Sequence, residues 1–329
     1  MEDLCRFWGW NRDAESRTRL HAVAGDAAEP NFGLPAETYD QLVAGCSHII
    51  HCAGTVRMNL ELEQARRSAV GSAEQILSFA RRIAENGNLA KVDFVSTVGV
   101  AGKSAGTLPE AWLDQLPAFH NTYEQAKAEA ESLVRYAVEV ERLPITVHRP
   151  SMVIGDSRDG RVIHFQIFYF ICEFLSGRKT AGLFPNFGGI LLDIIPSDTV
   201  AKAIVDASRD VETCGRVFHL CSGPKMAPRL EDVKRVVRQS FVNRRLAVPV
   251  AINLPIRWFG RLAAFITRMA PAKHRKALAT LPVYLDYLAD RQAFGNTEFS
   301  KWFAGRGHEF PQWRDYLPRV LDHYLAQRQ

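Results

Sequence analysis

Short apolar stretches alternate with longer amphipathic ones along the first two thirds of the chain. Four short stretches are rich in β-branched and apolar residues and predict strands, at residues 48–52, 92–97, 145–154 and 216–221. Between them, residues 61–86 and 121–140 place apolar side chains at helical spacing. This alternation predicts an α/β fold in which helices wrap a parallel sheet.

The pattern loosens after about residue 155. Residues 165–174 are rich in aromatic side chains and residues 182–189 in glycine and proline, and both stretches suit the wall of a pocket. Leu254 to Met269 places apolar residues on one helical face and arginines on a neighbouring one. This predicted helix is interpreted as a lid over the pocket. The alternative is peripheral membrane contact through residues 254–276, where its basic residues would meet a lipid surface.

Composition narrows the class of protein without identifying it. The chain is 47% hydrophobic and 23% charged, which is typical of a globular protein with a sizeable core. The net charge of +5 comes from dispersed basic residues and not from a basic stripe, so nucleic acid is not an expected partner. The six cysteines form no CxxC pair and no metal-ligand spacing, which predicts a reduced chain without structural metal. No secretory signal or membrane-spanning run is found, so we predict a cytoplasmic location.

The sharpest chemical pattern is a tyrosine and a lysine four residues apart, Tyr123 and Lys127, on a predicted helix. At this spacing both side chains lie on one face and can interact. A free tyrosine has a pKa of about 10, so a nearby cation that lowers the pKa would make it useful in proton exchange near neutrality. The alternative is a pair of surface residues without chemistry.

Other polar and small residues stand at strand ends, where open α/β sheets bind ligands. Ser96 and Thr97 end one strand, and Thr97 can hydrogen-bond a reacting oxygen. The alternative is that both hydroxyls only satisfy nearby backbone groups. Residues 148–156 run from a strand into proline and then glycine, and Ala53 and Gly54 close the strand at 48–52 with small residues.

Taken in order, these segments resemble a known family. Gly25-Asp26, His51-Cys-Ala-Gly54, the residues from Val95 to Gly102, Tyr123 to Glu131 and His148 to Asp156 follow one another as in extended short-chain dehydrogenases/reductases. The spelling of residues 121–131 is most similar to the thioester reductase and male-sterility-type fatty acyl reductase branch. One departure is Ser68, which stands where relatives usually have asparagine.

The resemblance implies a Rossmann-like, doubly wound parallel sheet that is incomplete at its N-terminal end, with a smaller C-terminal substrate-binding region. Residues 1–155 would form the NAD(P)-binding core. Residues 156–329 would form the substrate pocket and lid, with about 191–222 completing the sheet.

The resemblance also implies a role for each site residue. Tyr123 would be the general acid, Lys127 would lower its pKa and hold the ribose hydroxyls, and Thr97 would polarise the substrate oxygen. The cofactor-binding residues implied are Asp26 beside the adenine, Ala53 and Gly54 along the cofactor's back, Ser96, Lys127, and Pro150, Ser151 and Val153 beside the nicotinamide.

The function implied is an NADPH-dependent reduction of an acyl thioester, on coenzyme A or a carrier protein, to an aldehyde or alcohol. NAD is the alternative cofactor. A second enzyme class would use the same residues to oxidise or epimerise a sterol or sugar-nucleotide alcohol. A third interpretation is a non-catalytic remnant or a binding protein.

Intact relatives open with a strand, a Gly-rich turn and a helix whose N-terminus binds the pyrophosphate. In the printed sequence the first residues read as part of the helix before the third strand. The resemblance also implies a strand at residues 20–24. The expected sheet would then lack the two strands that lie between this strand and the strand at 48–52 in relatives. Three explanations stay open: a truncated or late-starting sequence, a degenerate remnant, and completion by a partner chain.

Overall fold

The computed structural model describes residues 2–9, 19–255, 259 and 292–328. In chain order its strands are β1 (His48–His51), β2 (Lys91–Val95), β3 (Gly106–Leu108), β4 (Ile145–Pro150), β5 (Met152–Ile154), β6 (Leu183–Pro185), β7 (Ile194–Pro196), β8 (Val217–Leu220), β9 (Ile252–Leu254) and β10 (Gln292–Phe294). 

The α-helices of the same residues are α1 (Glu2–Phe7), α2 (Ala36–Gly45), α3 (Leu62–Arg66), α4 (Ser72–Glu85), α5 (Thr122–Glu139), α6 (Ile167–Leu175), α7 (Ser197–Ser208), α8 (Gly223–Met226), α9 (Leu230–Asn243), α10 (Thr297–Gly305) and α11 (Trp313–Ala326). Short 3-10 turns cover Pro30–Gly33, Val98–Ala101 and Val211–Thr213, and a π-helical turn covers Arg67–Gly71.

Four parallel strands form the central sheet, in the order β1-β2-β4-β8. Three further parallel pairs lie outside it: β10 with β3, β5 with β7, and β6 with β9. Parallel strands need helical crossovers on the sheet faces, and α4 and α5 supply them on one face while α7 packs on the other. The predicted α/β parallel sheet wrapped by helices is therefore confirmed.

The face of the sheet under α4 and α5 is apolar because alternate strand residues point to it. Val92 and Phe94 of β2 lie in this core, each about 1% exposed, together with Leu77, Ala80 and Ile83 of α4. The 3.6-residue period of α4 brings its three buried side chains onto one stripe. Burial of this stripe fixes how the helix sits on the sheet.

The opposite face of β2 carries two buried charges instead. The Lys91 ammonium donates to the hydroxyls of Thr146, at 2.5 Å, and Thr213, at 2.7 Å. The Asp93 carboxylate lies 2.7 Å from Nε2 of His148 on the neighbouring strand. Burial lowers the pKa of both Lys91 and His148. These groups are stabilised by one another because water does not reach them.

A second core holds the C-terminal region together. It joins α6, α9 and α11, with Phe168, Phe241 and Tyr316 among its fully buried side chains. Glu173, which interrupts the apolar run of α6, accepts a hydrogen bond from Tyr324 at 3.1 Å and pairs with Arg328. The single charge in this run therefore ties α6 to the C-terminal helix.

Several sequence predictions are refined. The helix predicted over 61–86 is three pieces, because a π-helical turn interrupts it at Arg67–Gly71. The strand predicted over residues 20–24 is wrong: these residues form no strand and are mostly exposed. The physical reason is that no strand among the described residues lies beside them to complete a hydrogen-bond ladder.

Two other expectations are not settled by the fold. Most of the proposed lid and membrane-contact stretch, 254–276, lies outside the described residues, and the division at residue 155 stays a prediction. In the parts of the chain that the structure describes, no helix is both long and apolar enough to cross a membrane.

Helix α6 offers a matched test of the second core. We expect Phe168→Ala to lower the free energy of unfolding by about 3–5 kcal/mol, because Phe168 is fully buried and its loss leaves a cavity. Phe170→Ala, on the same helix but 54% exposed, should cost less than about 1 kcal/mol. Urea denaturation of the two variants and the wild type gives both values, and equal losses would contradict the described packing.

Candidate active site

The candidate site lies where β2 ends and α5 begins. Helix α5 starts at a well-defined residue, because the side chain of Asn121 accepts a hydrogen bond from the Glu124 backbone N–H at 3.0 Å. The Glu124 carboxylate in turn accepts from the backbone N–H and the ring of His120, at 3.0 and 2.9 Å. These contacts fix the first turn of the helix, and with it the position of Tyr123.

Three residues on successive turns of α5 contact the end of β2. Thr97 lies near enough to Tyr123 for its side chain to act on the phenol. The Lys127 ammonium donates to the Val95 carbonyl at 3.0 Å. The predicted triad of Thr97, Tyr123 and Lys127 is therefore brought together in one place.

The third residue on this face is Glu131, which the sequence analysis did not single out. Its carboxylate accepts a hydrogen bond from the Ser96 hydroxyl at 2.6 Å. Glu131 lies eight residues after Tyr123, and an acidic residue at that helical spacing was the signal in the sequence that could have indicated it. The structure shows its side chain to be buried.

The turn after Thr97 explains the small residues that follow it. Thr97 caps the 3-10 turn by accepting from the Gly99 N–H at 3.1 Å. At Gly102 the backbone has φ +50°, and a Cβ atom there would lie 2.4 Å from the Ala118 oxygen. Only glycine allows this turn to pack against the segment that leads into α5.

The electrostatics differ from the sequence expectation. Burial raises the pKa of Tyr123 to about 12, and the neighbouring Thr97 side chain only partly opposes that shift. Burial also lowers the pKa of Lys127 to about 8, while the Glu131 carboxylate acts in the opposite direction. The expectation that Lys127 lowers the Tyr123 pKa is not met in this structure, because burial of the phenol dominates and the ammonium is directed to Val95.

The loop after β1 borders the site. Ala53 and Gly54 are exposed, and no atom lies within 4 Å of the place where a Cβ on Gly54 would be. Ser68 holds this loop, since its hydroxyl accepts from the Thr55 N–H at 3.0 Å. Serine at this unusual position therefore still anchors the loop.

His51, the last residue of β1, connects this loop to the core. Its ring stacks on Phe94 with the centroids 5.0 Å apart, and it lies 3.5 Å from the Ser72 hydroxyl. Burial, with a smaller contribution from the Lys127 charge, lowers the His51 pKa to about 4.

The remaining predicted cofactor residues fall into two groups. Asp26 is exposed on a turn, where its carboxylate accepts from the Ala28 N–H at 2.9 Å and lies 4.0 Å from Arg67. These contacts are separate from the cluster on α5. Ser96, also predicted to bind the cofactor, has its hydroxyl directed inward to Glu131.

Pro150, Ser151 and Val153 lie where β4 ends and β5 begins. Pro150 pairs with Leu220 at the end of β4, and Val153 packs against a third apolar cluster. The Ser151 hydroxyl donates to Asp193 at 2.8 Å, so like Ser96 it is already engaged by a buried carboxylate.

Asp193 is the other residue that the sequence analysis missed. It also accepts from the backbone N–H groups of Ser222, at 2.8 Å, and Gly223, at 2.9 Å. Burial raises the Asp193 pKa to about 6. Its signal was an acidic residue inside the apolar run from Ile190 to Pro196. Asp193 and Gly223 line a small cleft with Phe294.

Comparison with known proteins adds a family. A family model described as male sterility protein, of the NAD-binding type, matches residues 4–204. The isonitrile lipopeptide synthase of Streptomyces coeruleorubidus is 30% identical over 198 residues, which cover 59% of this chain and 13% of that protein. The glycine betaine reductase ATRR of Emericella nidulans is 29% identical over 232 residues, which cover 68% of this chain and 17% of that protein. The chain thus spans less than a fifth of these relatives.

Solved structures share the fold. The terminal R domain of the myxalamid PKS-NRPS pathway aligns with a TM-score of 0.76 and 24% identity, over 98% of this chain and 77% of that one. A thiolation-reductase di-domain from an archaeal non-ribosomal peptide synthetase aligns with a TM-score of 0.73 and 17% identity, over 97% and 65%. These likenesses confirm the Rossmann-like fold class that the sequence motifs implied.

The buried histidines predict how stability depends on pH. The pKa of His51 is lowered to about 4 and that of His219 to about 3, both from an ordinary 6.5. Between pH 6.5 and 4 the unfolded chain therefore binds more protons than the folded one, so stability falls as the pH falls. Each histidine contributes at most about 1.4 kcal/mol per pH unit.

We expect His51→Gln to reduce this slope by about 1.4 kcal/mol per pH unit, measured by urea denaturation at several pH values. His48→Gln, on the exposed side of the same strand, is the control and should leave the slope unchanged. An unchanged slope in His51→Gln would mean that the ring is not held neutral.

Proposed function

The chain belongs to the male sterility protein family, and from this membership and the site geometry we propose that it reduces an acyl thioester with NADPH. The substrate would be an acyl group carried on coenzyme A or on a carrier protein, and the product an aldehyde or, after a second reduction, an alcohol. The observation that carries the proposal is the contact of Tyr123 with Thr97, beside Lys127, at the carboxyl end of a parallel sheet.

The printed names of the relatives support a thioester substrate. Three of the solved proteins are described as R or reductase domains of peptide synthetases or PKS-NRPS pathways. One of the three is joined to a thiolation domain. A thiolation domain is a carrier of thioester-bound acyl groups.

The protonation state of Tyr123 fits the role of an acid. With a pKa raised to about 12, the phenol keeps its proton at neutral pH. The oxyanion that forms when hydride reaches a thioester carbonyl is strongly basic, so it can accept that proton. Thr97 lies beside Tyr123 and would donate a second hydrogen bond to the same oxygen. The protonated hemithioacetal then loses a thiol and leaves an aldehyde.

NADPH supplies the hydride when it is bound, and the chain offers a place for it. Gly54 leaves room for close approach beside β1, and the Lys127 ammonium would bind the ribose hydroxyls. Pro150 and Val153 would lie beside the nicotinamide and Asp26 beside the adenine. Ser96 and Ser151 would contribute only main-chain atoms, because their hydroxyls already donate to Glu131 and Asp193.

The edge of the sheet at β1 is open within the described residues, since β2 is the only strand that pairs with β1 there. Ile50 on this strand is 44% exposed, which leaves space for a further element. We infer that the Gly-rich turn for the pyrophosphate is contributed by polypeptide that pairs with this edge. The preference for NADP over NAD and the cytoplasmic location remain predictions from the sequence.

The first test concerns the proton donor. In protein that carries a strand with a Gly-rich turn and helix ahead of residue 1, we expect Tyr123→Phe to lower the rate of NADPH-dependent reduction of an acyl-CoA by a factor of about 10²–10⁴, with NADPH binding little changed. Tyr136→Phe removes the hydroxyl of an exposed tyrosine on the same helix and should keep the full rate. Loss of NADPH absorbance measures both.

Two outcomes would count against the proposal. A Tyr123→Phe variant that reduces acyl-CoA at the wild-type rate removes the acid role from this residue. Oxidation of sterol or sugar-nucleotide alcohols, without any reduction of acyl thioesters, would assign the chain to the alternative enzyme class.

The second test concerns the open edge. We expect NADPH to bind weakly, if at all, to the 329-residue chain, and at micromolar strength once a strand with a Gly-rich turn and helix is joined ahead of residue 1. Titration of the NADPH fluorescence gives both dissociation constants. Micromolar binding to the 329-residue chain itself would show that the pyrophosphate is held elsewhere.

A further inference from the structure

We propose that Glu131 is a positioning residue of this site, whose buried carboxylate holds the end of β2 in its working place and puts a negative charge one helical turn after Lys127. The inference rests on the proposed function, in which Thr97 and Lys127 act on substrate and cofactor. Glu131 itself would contact neither the substrate nor the cofactor, so it would act through its neighbours.

The first support is the pattern of contacts between α5 and β2. Tyr123, Lys127 and Glu131 follow one another at four-residue spacing, so they form one row along the helix. Their partners are three consecutive residues of the strand end: Thr97 for Tyr123, the Val95 carbonyl for Lys127, and the Ser96 hydroxyl for Glu131. Removing the last contact would free the residue that directly precedes Thr97.

The second support is that the carboxylate cannot turn away from this position. Glu131 is only 3% exposed, and both of its oxygens accept from Arg149 Nε at 3.1 Å. Nη2 of the same guanidinium is also bonded to Glu131. A bidentate pair of this kind fixes the plane of the carboxylate as well as its position.

Arg149 is in turn held by two groups besides Glu131. Its Nη1 donates to the Ala111 carbonyl at 2.8 Å and lies 3.2 Å from Nε2 of His219. Since an arginine can only donate, His219 accepts through Nε2 and must carry its proton on Nδ1, which lies 2.8 Å from the Gly295 carbonyl. The row on α5 is thus connected through Glu131 to the segment that contains β10.

The charge of Glu131 also acts on Lys127. Burial alone would favour the neutral amine, and Glu131 is the largest influence that opposes it by raising the Lys127 pKa. Cys52 acts in the same direction more weakly, and the neighbouring His51 is held neutral near pH 7 by its own lowered pKa. The Arg149 charge is already matched by Glu131. The carboxylate therefore favours a charged lysine beside the reacting groups.

A purely structural ion pair would not produce these effects. A buried pair such as Glu131 and Arg149 often contributes little net stability compared with apolar residues of the same size. A structural role predicts a less stable protein with an unchanged lysine. A positioning role predicts a change in Lys127 itself, and that change can be measured without turnover.

The experiment compares Glu131→Gln with Glu129→Gln. Glu129 lies on the same helix and pairs with Arg66 at 2.8 Å, away from Lys127, so it is the matched control. The Lys127 pKa is read by NMR on protein whose lysines carry ¹³C-methyl groups, with the resonance assigned from Lys127→Arg. We expect the Lys127 pKa to fall by about one unit in Glu131→Gln and to stay unchanged in Glu129→Gln.

The rate of acyl-CoA reduction is then followed against pH with NADPH in excess, in wild-type and variant protein that carry the strand, Gly-rich turn and helix ahead of residue 1. If the lysine must be charged, the loss of rate at high pH should begin about one unit lower in Glu131→Gln than in the wild type. An unchanged Lys127 pKa in a folded Glu131→Gln protein overturns the proposal. A wild-type protein without turnover would remove the proposed function, while the NMR measurement would still decide the role of Glu131.

A second variant covers the case in which Glu131→Gln does not fold because Arg149 is left unpaired. Glu131→Asp keeps the charge opposite Arg149 but shortens the reach to Ser96. We expect it to retain a Lys127 pKa close to that of the wild type and to lose at least about tenfold in rate, because the strand end is no longer held. A wild-type rate in Glu131→Asp would contradict the positioning role.

Discussion

The packing of α5 against the end of β2 is the constraint on which the site depends. A helix cap at Asn121 sets the first turn, and one row of side chains then contacts the last residue of β2 and the two residues that follow it. Because the row stands on a helix and meets the chain where it leaves a buried strand, the polar groups are held close to rigid elements. The same packing partly buries Tyr123 and Lys127, which raises the pKa of the phenol and lowers that of the ammonium.

Much of the fold was predictable from periodicity. The helix over residues 121–140 and the strand over 92–97 follow the sequence prediction closely, because their apolar period matches burial on one face or on both. The strand predicted at 20–24 failed for a reason that no local pattern contains. A strand exists only if a neighbour completes its hydrogen bonds, and residues 20–24 have none in the described chain.

The site was predictable in its chemistry but not in its electrostatics. The spacing of Tyr123 and Lys127, together with Thr97 at a strand end, indicated which residues meet. Spacing carries no information on burial. Burial raises the Tyr123 pKa, whereas the sequence led us to expect a lowered one. Nor does a hydroxyl in a motif show its partner: Ser96 and Ser151 were assigned to a cofactor but donate to Glu131 and Asp193. Those carboxylates come from distant parts of the chain.

Strand β2 is short, yet none of its five residues is free of a role. Val92 and Phe94 belong to one core, Lys91 and Asp93 to the polar network on the other face, and the Val95 carbonyl holds the lysine of the site. A substitution at almost any of these positions therefore disturbs stability and chemistry together. We therefore expect this strand to tolerate few substitutions, and we expect changes of substrate to arise from substitutions in the surrounding loops.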